Sequence, residues 1–439
     1  MSTLKLYDRL ADELAHAIRE GHLPGGSALP TQRDFAKQRR IGLSTATRIY
    51  AELQRRGLVV GEVGRGTFVR ERPIEPHPLS EAIRYTAMAR TAEAIDAPTL
   101  RQALRSVSAL SDIERLATQP TPLGSPSARR ALALYLSRWG LKVDPAQIVT
   151  TGGGLAAMRL AALVSTQRGH KVAADAVTYP GWRLVSEQLG LEMMPLAFDA
   201  QGPVPEALER LCRRARVTAL HCMPTAHHPL GWVMPLQRRR DLVALAREHD
   251  VTLLEDATYN HLVRGAPPCF AQLAPERTWL IGSLSGAMGD GLRFGYLVAP
   301  RLLGARLERT TLSWGLAAPP LVGELARLWL GDGTLEALQS AQREHAEQLW
   351  KAVAKTGLGA HSPSSAGWLL WLALPRGSRS EMVAVKLRQQ GVDALTSEAF
   401  SIAASKPNAV AVRMRSMTPA GLRQVAPAVA AACGFHLRA

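Results

Sequence analysis

Leu6, Leu10, Leu14 and Ile18 recur every fourth residue near the start of the chain, the spacing of a single apolar stripe on a helix that stops at Gly21. The polar stretch "LPTQRDFAKQRR" then opens a second helix, with Thr31 as its cap after Pro30. Across the turn "RIGLS" a third helix, capped by Ser44, puts Ala46, Ile49, Tyr50 and Leu53 on one face. Thr45, Arg48, Glu52 and Arg55 fall on the other. Gly57 ends that helix, and "LVVGEVGRGTFV" predicts a two-stranded hairpin whose tip carries Arg65 between glycines. Beyond residue 120 the period changes. "KVAADAV", "VTALHC", "VTLLED" and "TWLIGS" are short continuous apolar runs separated by helix-length segments, which predicts buried parallel strands joined by crossover helices, an α/β domain.

The order helix, helix, turn, helix, basic hairpin predicts a winged helix-turn-helix over 1–70, whose third helix enters the major groove of double-stranded DNA. Residues 1–70 hold 12 Lys/Arg against 7 Asp/Glu, so the module is basic. The stretch from "LPTQRDFAKQRR" to "GRGTFV" resembles the GntR family of regulators. That resemblance implies DNA contacts from Arg33, Ser44, Thr45, Thr47, Arg48, Arg65 and Gly66. Pro73, Pro76 and Pro78 in "RERPIEPHPLSEA" make a semi-stiff tether. Residues 71–118 are a linker and a weakly patterned helical segment without an assigned role, and 119–439 form the large domain.

Charge agrees with a nucleic-acid partner: 53 Lys/Arg against 37 Asp/Glu give +16, and the pI is near 10.3. The N-terminus carries acidic residues early and no apolar core, so it does not read as a signal peptide. No apolar run approaches the ~20 residues of a membrane span. Four cysteines at unpatterned spacings fit reduced thiols, and the expected location is the cytoplasm. His221, Cys222, His227 and His228 could suggest a metal cluster. Adjacent histidines point apart, however, and no carboxylate falls at ligand spacing, so no metal is expected.

In a parallel sheet, ligands sit beyond the carboxyl ends of the strands. The rule selects Asp175 to Tyr179, His221 to Gly231, Asp256 to Tyr259 and Ser283 to Arg293 as the lining of one cleft. "TTGGGLAAM" enters a helix, so its amides offer a phosphate cradle. From "PLGSPSARRALALYLSRWG" onward, through "TYPGW", "PTAHHPLG", "EDATY" and "GLRFGYLVAP", the chain resembles the fold-type I pyridoxal-phosphate aminotransferases. Behind a GntR-type module this is the layout of the MocR subfamily of regulators. The resemblance implies that Asp256 meets the pyridine nitrogen, Tyr259 the ring hydroxyl, and Tyr179 the ring face. Thr151, Gly152, Gly153 and Gly154, with Ser283, Ser285 and Arg293, would take the phosphate, and Arg413 a substrate carboxylate. It also implies a homodimer with two DNA modules and a two-part operator.

Three positions depart from that family pattern. His228 stands where asparagine is usual, Asp290 where proline is usual, and Gly286 where the Schiff-base lysine stands. No lysine occurs between Lys171 and Lys351, so no shift of register supplies the amine. Without it the cofactor has no covalent tether and the substrate no proton shuttle. The expectation is a regulator with a degenerate, inactive effector domain that binds no covalent pyridoxal phosphate. Non-covalent pyridoxal phosphate, pyridoxamine phosphate or a preformed aldimine remain open as ligands, as does an amino acid or another vitamin B6 compound as effector. The alternative is a working aminotransferase with an accessory DNA module, and Gly286 argues against it.

Overall fold

The computed structural model describes residues 6–19, 22–24, 26–55, 58–62, 66–69, 83, 94–300, 304–362 and 366–435. The chain separates into two compact units, Met1–His77 and Pro78–Ala439.

In the first unit, helices α1 (Leu6–Arg19), α2 (Gln32–Arg39) and α3 (Leu43–Arg55) precede the antiparallel pair β1 (Val59–Glu62) and β2 (Gly66–Val69). Ala46, Ile49, Tyr50 and Leu53 are buried against Leu10, Ala15, Ile18 and Phe35, so the helical period of α3 does select its core face. Thr31 caps α2 by accepting from the Asp34 amide, and the Tyr50 hydroxyl donates to Pro30 O at 2.6 Å, tying α3 to the start of α2. Burial pushes the Tyr50 phenol up to about 12. Ser44 is not the cap of α3. The amides of Thr45 and Ala46 both donate to Gly42 O, so the helix starts at Leu43 and Ser44 lies in its first turn.

The second unit is built on a seven-stranded sheet. Its members are β3 (Ile148–Thr151), β4 (Lys171–Asp175), β5 (Glu192–Leu196), β8 (Val217–Cys222), β9 (Thr252–Asp256), β10 (Thr278–Ser283) and β11 (Gly295–Val298), while β6 (Phe198–Asp199) and β7 (Gly202–Pro203) form a small hairpin. The strand order is β3-β11-β10-β9-β8-β4-β5. All neighbours from β10 to β5 run parallel, and only β11 runs against them. Alternation along the strands feeds both faces. Leu254 and Ile281 pack with the helices Gly154–Ser165 and Pro180–Leu189, whereas Leu253 and Leu280 point to helices on the opposite face.

The helix Ala97–Ser108 sends Ala103 and Val107 into the same core as Leu132 and Ile148, so part of the weakly patterned segment is built into this unit. A smaller antiparallel sheet of β12 (Leu369–Ala373), β14 (Ala409–Arg413) and β13 (Ala394–Thr396) packs with the long helix Thr334–Lys355 and the helix Pro419–Cys433.

Candidate ligand cavity and DNA-binding module

The loops that leave β4, β8, β9 and β10 meet in a cavity of about 100 Å³. Tyr179, Asp256, Tyr259, Ser283, Ser285, Gly286, Asp290 and Arg293 line it, together with Gly154. Asp256 ends β9 and is 3% exposed, with Oδ1 accepting from the Thr258 amide at 2.9 Å. Burial raises its pKa above the usual carboxylate range, opposed by the Thr258 hydrogen bonds and by the charge of His227. Behind it, His227 Nε2 lies 3.2 Å from Asp175 Oδ2 in a fully buried pair. His228 stands outside the lining and packs edge-on to Tyr179 at 5.7 Å and tilted against Tyr259 at 5.8 Å. Burial lowers the His221 and His228 imidazoles to about 3, so both are neutral rings, and His221 stacks on Trp182.

The glycine turn enters the cavity only at Gly154. The Gly152 amide donates to Leu316 O, the Gly153 amide to Thr151 O, and Thr151 Oγ1 to Gly153 O, so these donors are committed to the protein's own carbonyls. Space is tight there. A Cβ on Gly295 would come within 2.5 Å of Gly153 C, and one on Gly153, whose φ is +98°, within 3.1 Å of the Arg293 guanidinium. Arg293 itself holds a left-handed φ of 53°, a strained conformation for a non-glycine residue that turns its side chain onto the glycine turn. Ser285 Oγ donates to Phe294 O, so that hydroxyl is committed to the main chain.

The carboxylate arginine expected at 413 is not in the lining. Arg413 pairs with Asp393, where β14 ends, and the arginine that reaches the cavity is Arg415. Arg415 Nη2 donates to Gly286 O at 2.9 Å. Thr258 and Met223, which fall in the stretches selected by the strand-end rule, also line the cavity, as do Leu155, Met158 and Ile83, which that rule did not select. A larger cavity of about 340 Å³ shares Thr258 and Ser283 with it but contains none of the Asp256, Asp290, Arg293 and Arg415 charges.

On the first unit, Arg33, Ser44, Thr47 and Arg48 are exposed and Thr45 is half-buried. Thr47 Oγ1 donates to Gln32 Oε1 at 2.9 Å, linking α2 and α3 on that side. Gly66, at the start of β2, has a φ of +122°, which favours glycine, and Arg65 lies outside the described residues.

Residues 88–429 match the profile of class I and II aminotransferases, and residues 6–69 match that of bacterial regulatory proteins of the gntR family. The chain belongs to the class I and II aminotransferase family and carries a GntR-type DNA-binding module. It is 26% identical over 433 residues to the uncharacterized HTH-type transcriptional regulator YdeF of Bacillus subtilis, covering 96% of this chain and 92% of that one. It is 27% identical to the HTH-type pyridoxine biosynthesis transcriptional regulator PdxR of Corynebacterium glutamicum, over 66% of this chain and 65% of that one. The solved structure of LysN, an alpha-aminoadipate aminotransferase of Thermus thermophilus, superposes with a TM-score of 0.72 at 21% identity, covering 82% of this chain and 95% of that one, which establishes the shared fold. This GntR–aminotransferase chain is therefore a DNA-binding regulator fused to an aminotransferase-like domain.

The aminotransferase family implies pyridoxal phosphate, and the cavity fits part of it. A buried carboxylate at Asp256 suits a protonated ring nitrogen, the aromatic rings of Tyr179 and Tyr259 suit the ring, and Ser283 with Arg293 beside the crowded glycines suits a phosphate. Gly286 in the cavity wall offers no amine, and the chain has no lysine from 172 to 350.

Proposed function

We propose that this chain is a sequence-specific transcriptional regulator of MocR type whose large domain is catalytically inactive and holds a vitamin B6 compound or amino-acid derivative without a covalent bond. The observation that carries the reading is Gly286 in the wall of a cavity that also holds Asp256, Tyr179, Tyr259, Ser283 and Arg293, residues suited to the cofactor. Pyridoxal phosphate, when bound, supplies an electron-accepting ring. The chain's own part would be to hold the ring nitrogen at Asp256, to enclose the ring beside Tyr179 and Tyr259, and to hold the phosphate at Ser283 and Arg293. Among the described lining residues none carries a primary amine, so none can both form the imine and move the proton as a lysine does.

On the DNA module, Arg33, Ser44, Thr45, Thr47, Arg48, Arg65 and Gly66 are the proposed contacts, with α3 as the major-groove helix. The net charge of +16 supports a polyanionic partner. A homodimer presenting two modules to a two-part operator completes the reading. Visible absorbance and borohydride reduction of the full chain with pyridoxal phosphate test it. The expected result is reversible binding without a reduced adduct, and a stoichiometric adduct would overturn it.

A further inference from the structure

The larger cavity, of about 340 Å³, takes no part in the cofactor reading, and its lining is one-sided in charge. Arg138, Arg264 and Arg343 line it, and no aspartate or glutamate does. Two of these cations are already answered: Arg138 pairs with Glu336, and Arg264 Nε lies 3.0 Å from Glu347 Oε1. Arg343 has no carboxylate partner among the described residues. Its Nη1 donates to His261 O at 3.2 Å and its Nη2 to Ser340 Oγ at 2.9 Å, both neutral acceptors, while its Nε is buried without a partner. The neighbouring His261 ring brings no charge either, since burial lowers its imidazole to about 4.

Two buried donors line the same space. Tyr296 is 5% exposed, and its hydroxyl makes no hydrogen bond among the described residues. Gln339 is 3% exposed. Its Oε1 accepts from the Tyr135 hydroxyl at 2.9 Å, which leaves its Nε2 hydrogens without a partner among those residues. A donor taken out of water and left unpaired is costly, and an acceptor on a ligand relieves that cost. Leu136, Trp139, Leu141 and Val263 make the wall around these donors largely apolar. One unanswered guanidinium with two neutral donors suits a single negative charge carrying acceptor oxygens, and the apolar wall suits a compact hydrocarbon body.

We propose that this cavity is a second ligand site, which takes a small monocarboxylic acid with an apolar or aromatic body, its carboxylate held by Arg343, Tyr296 and Gln339. The site stands apart from the pyridoxyl cavity and does not rest on that reading. Thr258 belongs to both walls, and its amide holds Asp256 Oδ1 at 2.9 Å, so the acid lies against the residue that positions the carboxylate of the smaller cavity.

Ligand-observed NMR titration of the full chain with phenylacetate and phenylacetamide tests the assignment, because the two probes share size and ring and differ in charge. Phenylacetate is expected to bind about tenfold or more tightly, the scale of a hydrogen bond to a charged group. Arg343→Gln should bring the two affinities together. Tyr296→Phe should weaken phenylacetate about fivefold, as one lost neutral hydrogen bond would, while keeping the ring that packs on Gly282. It decides the matter if Arg343→Gln melts far below the parent. Neither residue lines the smaller cavity, so the two variants also locate the probe. Equal affinities in the natural chain, an advantage for the acid that survives Arg343→Gln, or phenylacetate binding untouched by Tyr296→Phe would overturn the site, as would no binding of either probe.

Discussion

Gly286 O accepts from both Arg415 Nη2 and Gln342 Nε2 at 2.9 Å, so the main chain at Gly286, the proposed position of the family's lysine, is held from two sides. Restoring an amine there is a test at the scale of one residue. Gly286→Lys, combined with Asp290→Asn to remove the carboxylate that shares the wall, should give a borohydride-trappable adduct of one pyridoxyl group per chain by intact mass. Absence of an adduct in a folded double variant would mean that the cavity does not seat the ring. A second residue gives a pH signature. Burial raises Glu255 to about 7, opposed by the Ala271 amide and by Arg239. The unfolded chain releases that proton near 4.5, so the group's contribution to stability falls as pH rises from about 4.5 to about 7. The neutral His221 and His228 rings slope the opposite way, their contribution being lost as pH falls below 6.5. Glu255→Gln should therefore gain on the natural chain across pH 4.5 to 7, by up to about 3 kcal/mol for a shift of this size. Parallel denaturation curves across that range would remove the assignment.

At the scale of elements, α3 joins a buried face of Ala46, Ile49, Tyr50 and Leu53 to an exposed edge of Ser44, Thr47 and Arg48. Arg48→Ala should cost about 1 to 3 kcal/mol of promoter binding if it reads a base edge, whereas Arg65→Ala should weaken all sequences alike and flatten the salt dependence. Fluorescence anisotropy with operator and scrambled duplexes at two salt concentrations checks both, and unchanged binding by both variants would displace the recognition helix. The elements most legible in the sequence were those with continuous apolar runs, β4, β8, β9 and β10, because strands buried on both faces show no polar alternation. Others were masked by composition. β5 is "EMMPL" at the sheet edge, with Glu192 and Pro195 in it, and β3 and β11 are only four residues each. Residues at or just past strand ends, such as Asp256, Ser283 and Tyr259, could be placed in the cavity from chain order. Arg415 could not, since its position depends on where β14 stops, and neither could the pairing of the Gly152 amide with Leu316, which is distant in sequence.

For the whole molecule, a GntR-type module matched over residues 6–69 precedes an aminotransferase-like domain matched over 88–429, and the proposed reading is that this domain binds without reacting. Among the described residues no helix is long and apolar enough to cross a membrane. In the proposed function, ligand binding in the large domain is separated from catalysis. The most direct measurement incubates the full-length protein with pyridoxal phosphate and a panel of amino acids, and quantifies keto acid against a protein-free control. The account predicts no keto acid above that control for any amino acid. Formation above it, abolished by Asp256→Ala, would contradict the account and make this chain an aminotransferase with a DNA-binding module attached.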